Sequence, residues 1–261
     1  MRNVANIKLT GRVVKSEDRT TASGFPITTI TVAGDAKSRD GAKDIVFYQQ
    51  VDILGKYAEF MRDQMQVGAN VTVLGTLNQR RYEDKDGNKK STVQIVADSV
   101  APLAADFGTV TDKRGQERLT GGQNMATLLG NLTRDPELRY TPNGAAVTNL
   151  SIATNLRQGK EEVVSYFDIT AWNELAEQAA ELKKGTPVLI EGPINNDSYQ
   201  DKEGNMRYIT RFEAFSLSAI RRPAGAGRAE DPSERQPSPQ DLAPTIDPLD
   251  EFPPEEDLPF D

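Results

Sequence analysis

Hydrophobic and polar positions alternate between Ala126 and Leu132. Ala126, Leu128, Gly130 and Leu132 point one way and Thr127, Leu129 and Asn131 the other, which predicts a strand. Gly130 interrupts the pattern. A glycine inside a strand marks a bend, a bulge or a close backbone approach, so this strand is expected to coil around the corner of a small barrel. Asp135-Pro136 and Pro142-Asn143-Gly144 then supply turn chemistry, with Arg139 and Tyr140 between them.

The same pattern occurs earlier in the chain. Asn6 to Val13 matches Met125 to Leu132, Phe25 to Ala33 matches Ala145 to Ala153, and Gly68 to Gly75 matches Gly185 to Gly192. Tyr82 to Asn88 (YEDKDGN) matches Tyr199 to Asn205 (YQDKEGN). Both copies read strand, strand, strand, helix, strand, hairpin, strand, with the helix at about Lys56 to Met65 and about Glu174 to Lys183. A five-stranded Greek-key barrel with a helix between its third and fourth strands is the OB architecture. The fold expected is therefore all-β with short helices: an OB barrel over residues 1–103 and a second over 124–222.

The connector, residues 104–123, is too polar and glycine-rich for a third domain. Phe107 to Thr111 and Gln116 to Thr120 flank Asp112 to Gly115, which fits either a hairpin packed between the barrels or a flexible linker.

The run GNLTRDPELRYTPNGAAVTNLSIAT, continued by VSYFDITAWNELAE, LKKGTPVLIEGPI and DSYQDKEGN, resembles the bacterial single-stranded DNA-binding protein family, whose OB fold carries these segments in this order. The resemblance implies sequence-independent binding and protection of single-stranded DNA in replication, recombination and repair. It also implies, from the two-OB variety, a homodimer carrying four OB folds.

Composition narrows the chemistry. The chain has 261 residues with neither cysteine nor histidine, which leaves no disulfide, no thiolate or imidazole metal site and no Ser-His-Asp arrangement. A carboxylate-based, metal-dependent nuclease is the remaining enzymatic reading, and nothing in the sequence requires it. A non-enzymatic binder needing no cofactor or metal is expected. No apolar run approaches the roughly 18 residues of a membrane span, and MRNVANIKLT lacks the apolar core of a signal peptide. The expectation is a cytoplasmic, nucleoid-associated protein.

A net charge of −8 looks wrong for a nucleic-acid binder until it is divided along the chain. Of 31 basic and 39 acidic residues, two and eleven lie from Pro223 onward, so residues 223–261 carry −9 and the first 222 residues hold 29 against 28. Nine of the fifteen prolines lie in that tail too. It cannot bury enough apolar surface to offset its ordering entropy and is expected to be disordered.

On an OB face bases stack on aromatic rings, and Lys and Arg neutralise phosphates. Tyr166 and Trp172 bound the third strand of the second copy, an even number of residues apart, and so share a face unless a bulge intervenes. Tyr199 precedes the polar hairpin turn, where a core ring would be poorly buried. The resemblance implies base stacking at these three, with Tyr48 and Tyr82 at matching positions in the first copy and Leu54 where Trp172 stands. Core or rim packing is the alternative for each ring alone; Tyr140 and Phe167 are assigned to the core, and Phe47 is left open.

Candidate phosphate contacts are Arg134, Arg139, Lys202 and Arg207 in the second copy and Arg12, Arg80, Arg81, Lys85, Lys89 and Lys90 in the first. Each alone also reads as a solvated charge. Arg80, Arg81, Lys89 and Lys90 flank one hairpin, whose two strands would gather four cations.

The chain ends in PLDEFPPEEDLPFD. There Asp257, Leu258, Pro259 and Phe260 form a short docking motif for replication and repair enzymes, similar to the family's partner-recruiting tip. In the family the Phe is usually last, whereas Asp261 follows it here. A purely solubilising tail is the plainer reading of the same residues, and a tandem OB adaptor whose main ligand is protein is the alternative for the whole chain.

Overall fold

From Gln123 to Leu132 every second residue is buried, beginning with Asn124, so the alternation read from the sequence is the barrel's inside and outside. The computed structural model describes residues 3–83, 89–104, 107–113, 115–158, 161–200 and 206–220. The acidic tail, with Asp257, Leu258, Pro259 and Phe260, lies outside the described residues, as do Lys85 and Lys202.

The first copy comprises β1 (Val4–Thr20), β2 (Pro26–Lys37), β3 (Asp44–Leu54), α1 (Gly55–Met61), β4 (Asn70–Glu83) and β5 (Lys89–Pro102). Strand β1 pairs with β2 and β4, β2 with β3, β4 with β5, and β3 meets β5 in parallel at Asp52 and Val96, which closes the barrel. In backbone pairing the closure is confined to that point, as in a partly open OB barrel.

A connector of β6 (Thr109–Thr111) and β7 (Glu117–Leu119) comes next. The second copy runs β8 (Gln123–Leu132), β9 (Glu137–Tyr140), β10 (Ala146–Gln158), β11 (Glu161–Trp172), α2 (Glu174–Ala180), β12 (Pro187–Gly192), β13 (Ile194–Gln200), β14 (Met206–Glu213) and β15 (Ser216–Ala219). It repeats the closure: β8 pairs with β10 and β12, β10 with β11, β13 with β14, and β11 meets β14 in parallel at Ile169 and Phe212. Here the long first strand is broken into β8 and β9 around Asp135-Pro136. Both helices are shorter than the sequence suggests. α1 tightens into a 3-10 turn over Arg62–Gln64, and α2 gives way to a turn in which Leu182 N donates to Ala179 O.

Gly11 and Gly130 occupy equivalent places for one reason. A Cβ on Gly11 would lie 2.7 Å from Ala33 O, and one on Gly130 would lie 2.5 Å from Ala153 O. The first strand of each barrel bends there against the second, as expected for a glycine inside a strand.

The two barrels are joined through their first strands. β1 and β8 pair antiparallel from Val4 opposite Leu129 to Thr10 opposite Gln123, with Ile7 facing Ala126, its own counterpart in the repeat. An antiparallel pair in which a residue meets its counterpart defines a local two-fold axis between the copies. A buried polar seam runs beside it: Asn124 Nδ2 donates to Ile194 O (2.7 Å), Ile194 N donates to Asn124 Oδ1 (3.2 Å), and Gln49 Nε2 donates to the same carbonyl (2.8 Å).

The connector is an ordered hairpin docked on the first barrel. Leu119 is fully buried and pairs in parallel with Gly34, while Arg118 Nε donates to Asp35 Oδ1 at 2.6 Å with both side chains largely buried. That bond raises the Arg118 pKa further, so the guanidinium keeps its charge. Phe47, left open by the sequence, is buried and packs against Gly34 and Gly122.

Candidate nucleic-acid interface

Strand β11 alternates cleanly. Phe167, Ile169 and Ala171 are buried, Phe167 edge-on to Phe212 with ring centroids 5.3 Å apart, and Tyr166 and Trp172 stand 40% and 36% exposed on the other side. The two rings therefore share the outward face. Across the neighbouring strands, Trp172 is in register with Val147, which is in register with Arg139. Cross-strand partners project to the same side of a sheet, so indole, aliphatic side chain and guanidinium form one row. The next outward row is Glu137, Asn149 and Thr170, where Thr170 Oγ1 donates to Asn149 Oδ1 at 3.3 Å. Arg134 reaches the same face from the loop after β8, its Nη2 4.0 Å from Asp168 Oδ1. Arg139 leans on Glu137 at 2.9 Å, an exposed pair of the kind that contributes little to stability.

The turn behind Trp172 holds it at the rim. Asn173 has φ 52°, the single positive φ outside glycine among the described residues, and its N–H donates to Ala146 O at 2.9 Å. Gly55 takes the equivalent place after Leu54 with φ 63°. The chain thus turns sharply from strand into helix directly after the rim residue in both barrels.

Tyr140, assigned to the core from the sequence, is 64% exposed. It ends β9, an edge strand that among the described residues pairs only with β10, and it sits on the side of Leu138 and Ala146 rather than with Arg139 and Trp172. A ring at the end of such an edge has no second strand to bury it.

The first barrel's face differs. Tyr48 is half-buried, and its hydroxyl donates to Asp112 Oδ2 of the connector at 2.6 Å. Burial first, and then Asp112, push its pKa up to about 12. Arg12 bridges Asn70 Oδ1 (3.2 Å) and Glu117 Oε2 (3.0 Å) of the connector, so its guanidinium is engaged within the protein. On the β4–β5 arm Arg80 lies opposite Thr92, Arg81 opposite Ser91, Tyr82 opposite Lys90 and Glu83 opposite Lys89. On the β13–β14 arm Tyr199 lies opposite Arg207, so both arms set a tyrosine against a cation. The backbones of Arg81, Tyr82, Lys89, Lys90, Tyr199 and Arg207 are described; their side chains lie outside the described residues.

Two amides that the sequence pattern did not single out join the barrels at these faces. Gln79 Oε1 accepts from Tyr166 N (3.3 Å), and Asn196 Nδ2 donates to Tyr48 O (3.2 Å) and Gln49 Oε1 (3.1 Å). Each stands three residues before its arm's tyrosine, in Gln79-x-x-Tyr82 and Asn196-x-x-Tyr199, a repeat signal that could have found them. Among the described residues no group of three or more carboxylates is gathered that could hold a metal, and no helix is long and apolar enough to cross a membrane.

Two closed five-stranded barrels, each with a helix after its third strand and fused through their first strands, define a tandem OB-fold protein. The second barrel presents aromatic and cationic side chains on one open face. The model of the single-strand binding protein family matches the chain twice, over residues 4–103 and 123–219, and the chain belongs to that family. It is 41% identical to the single-stranded DNA-binding protein of Thermus aquaticus over 99% of both chains. It is 40% identical to that of Deinococcus radiodurans over 86% of this chain and 78% of the relative. The crystal structure of the wild-type Thermus aquaticus protein superposes with a TM-score of 0.68 at 34% identity, covering 90% of this chain and all of that one.

Proposed function

We propose that the chain binds and protects single-stranded DNA without regard to sequence, during replication, recombination and repair. Bases stack on Tyr166 and Trp172, joined by Tyr199, Tyr48 and Tyr82, while phosphates meet Arg134, Arg139, Lys202 and Arg207 and the cations of the first barrel. Residues 1–103 and 124–222 act as the two binding domains, joined by 104–123. The observation that carries this reading is the outward row of Trp172, Val147 and Arg139 beside exposed Tyr166: flat apolar surface next to positive charge is what a single strand requires. The readout is a titration with oligo(dT) of defined lengths, for affinity and for nucleotides covered per chain.

Two further parts belong to the same reading. The acidic tip recruits replication and repair enzymes through Leu258, Pro259 and Phe260, with Asp257 keeping it solvated. Pull-down of a repair helicase or nuclease with Phe260→Ala should lose the partner; retained recruitment would leave the tail as a solubiliser. The chain works as a homodimer, which the resemblance to the two-OB variety of the family implies. Mass in solution decides that point.

A further inference from the structure

We propose that each nucleic-acid face is composite: its stacking strand comes from one barrel and the cationic arm beside it from the other. This rests on the reading that Tyr166 and Trp172 stack bases.

Among the described residues, strand β11 closes its barrel against β14 only at Ile169 and Thr170. At Tyr166 its outer edge would be open, a row of unpaired backbone groups. That edge is met instead by β4 of the first barrel. Gln79 N donates to Ser165 Oγ (3.2 Å), and Tyr166 N donates to Gln79 Oε1 (3.3 Å). The local two-fold repeats the arrangement: β3 meets β5 at Asp52, and its edge at Tyr48 and Gln49 is met by Asn196 of β13. Two independent sets of contacts thus place each arm on the other barrel's stacking strand.

The residues after Gln79 along β4 give this junction its function. Arg80 and Arg81 are the next two, and a strand advances about 3.3 Å per residue. Both therefore leave the chain within about 7 Å of Gln79, and Lys89 and Lys90 return along the paired strand of the same arm. A strand of DNA stacked on the second barrel's Tyr166 and Trp172 would have its phosphates neutralised by the first barrel's arm. By the same symmetry the second barrel's arm, with Arg207, serves Tyr48.

Trp172 is the chain's one tryptophan and reports on the second barrel alone. The test uses the full-length protein and an oligo(dT) of about six nucleotides, near the short end of an OB site, with Trp172 quenching measured over a salt series. The double variant R80A/R81A should weaken the Trp172-detected binding and flatten its log–log salt slope by roughly 0.7 for each phosphate left unneutralised on a single strand. R207A, on the second barrel's own arm, should change both by less than R80A/R81A does. If R80A/R81A unfolds, K89A/K90A on the same arm makes the same test. Full quenching in wild type with no response to either first-barrel pair, or a response to R207A instead, overturns the composite face while leaving stacking intact. Binding detected by anisotropy without any quenching would instead remove the stacking reading itself.

Discussion

The hydroxyl of Tyr48 donates to Asp112 Oδ2 at 2.6 Å, whereas its counterpart Tyr166 stands 40% exposed. The connector therefore makes the two barrels unequal: one ring is tethered from its tip and the other is open. Tethering shows in ionisation. A tyrosine whose folded pKa lies near 12, above its ordinary 10, favours the neutral phenol in the folded chain. Its contribution to stability is complete below pH ~10 and is lost as pH rises towards ~12. In alkaline difference absorbance, one of the seven tyrosines should titrate late and that component should vanish in Tyr48→Phe. Asp112→Asn should bring it down towards, but not to, the ordinary value, because burial remains. A midpoint unchanged by Asp112→Asn would contradict the assignment.

Gly130→Ala tests the corner. The added methyl would lie 2.5 Å from Ala153 O and 2.9 Å from Thr154 Cγ2, with the second strand unable to retreat without breaking the β8–β10 pairing. The expected loss is about 1–3 kcal/mol, seen as a lowered midpoint in denaturant with unchanged slope.

Asn124→Ala addresses the seam between the barrels. Asn124 is 3% exposed and satisfies both backbone groups of Ile194, so its removal strands a buried N–H while Gln49 still holds the carbonyl. A cost of about 1–3 kcal/mol is expected. The double variant with Gln49→Ala should cost more than the sum of the singles, because the carbonyl then loses its last side-chain donor.

Much of this architecture is legible in the sequence because it is periodic. Alternation in β8 and β11 separates inside from outside, the repeat predicts a second barrel with the same closure, and Tyr166 and Trp172 share a face by parity alone. The rest depends on contacts between segments far apart in the chain. Nothing local in Asn6 to Thr10 says that this strand pairs with β8. Tyr140 reads as a core ring until β9 is seen to be an edge. The connector's polarity hides a hairpin that is held by Asp35–Arg118 and Tyr48–Asp112 rather than by an apolar core of its own. Gln79 and Asn196 look like surface amides until the opposite barrel is in place.

Removal of Pro223 to Asp261 should leave DNA binding intact or tighten it modestly. The tail's −9 is tethered to a body that is nearly neutral, and a tethered polyanion competes with DNA for cations. The gain should appear at low salt, where screening is weakest, and fade by physiological ionic strength. Weaker binding by the truncated chain at low salt would count against the competitor role. Deleting Asp261 alone should not change affinity for DNA.

The central claim is that bases stack on the open face of the second barrel, and Trp172 tests it directly. On titration with oligo(dT), Trp172 fluorescence should be quenched in step with binding measured independently by anisotropy, and Tyr166→Ala should cost about 1–3 kcal/mol of affinity without altering thermal stability. Saturated binding with Trp172 unquenched, and with Tyr166→Ala as tight as wild type, would contradict it.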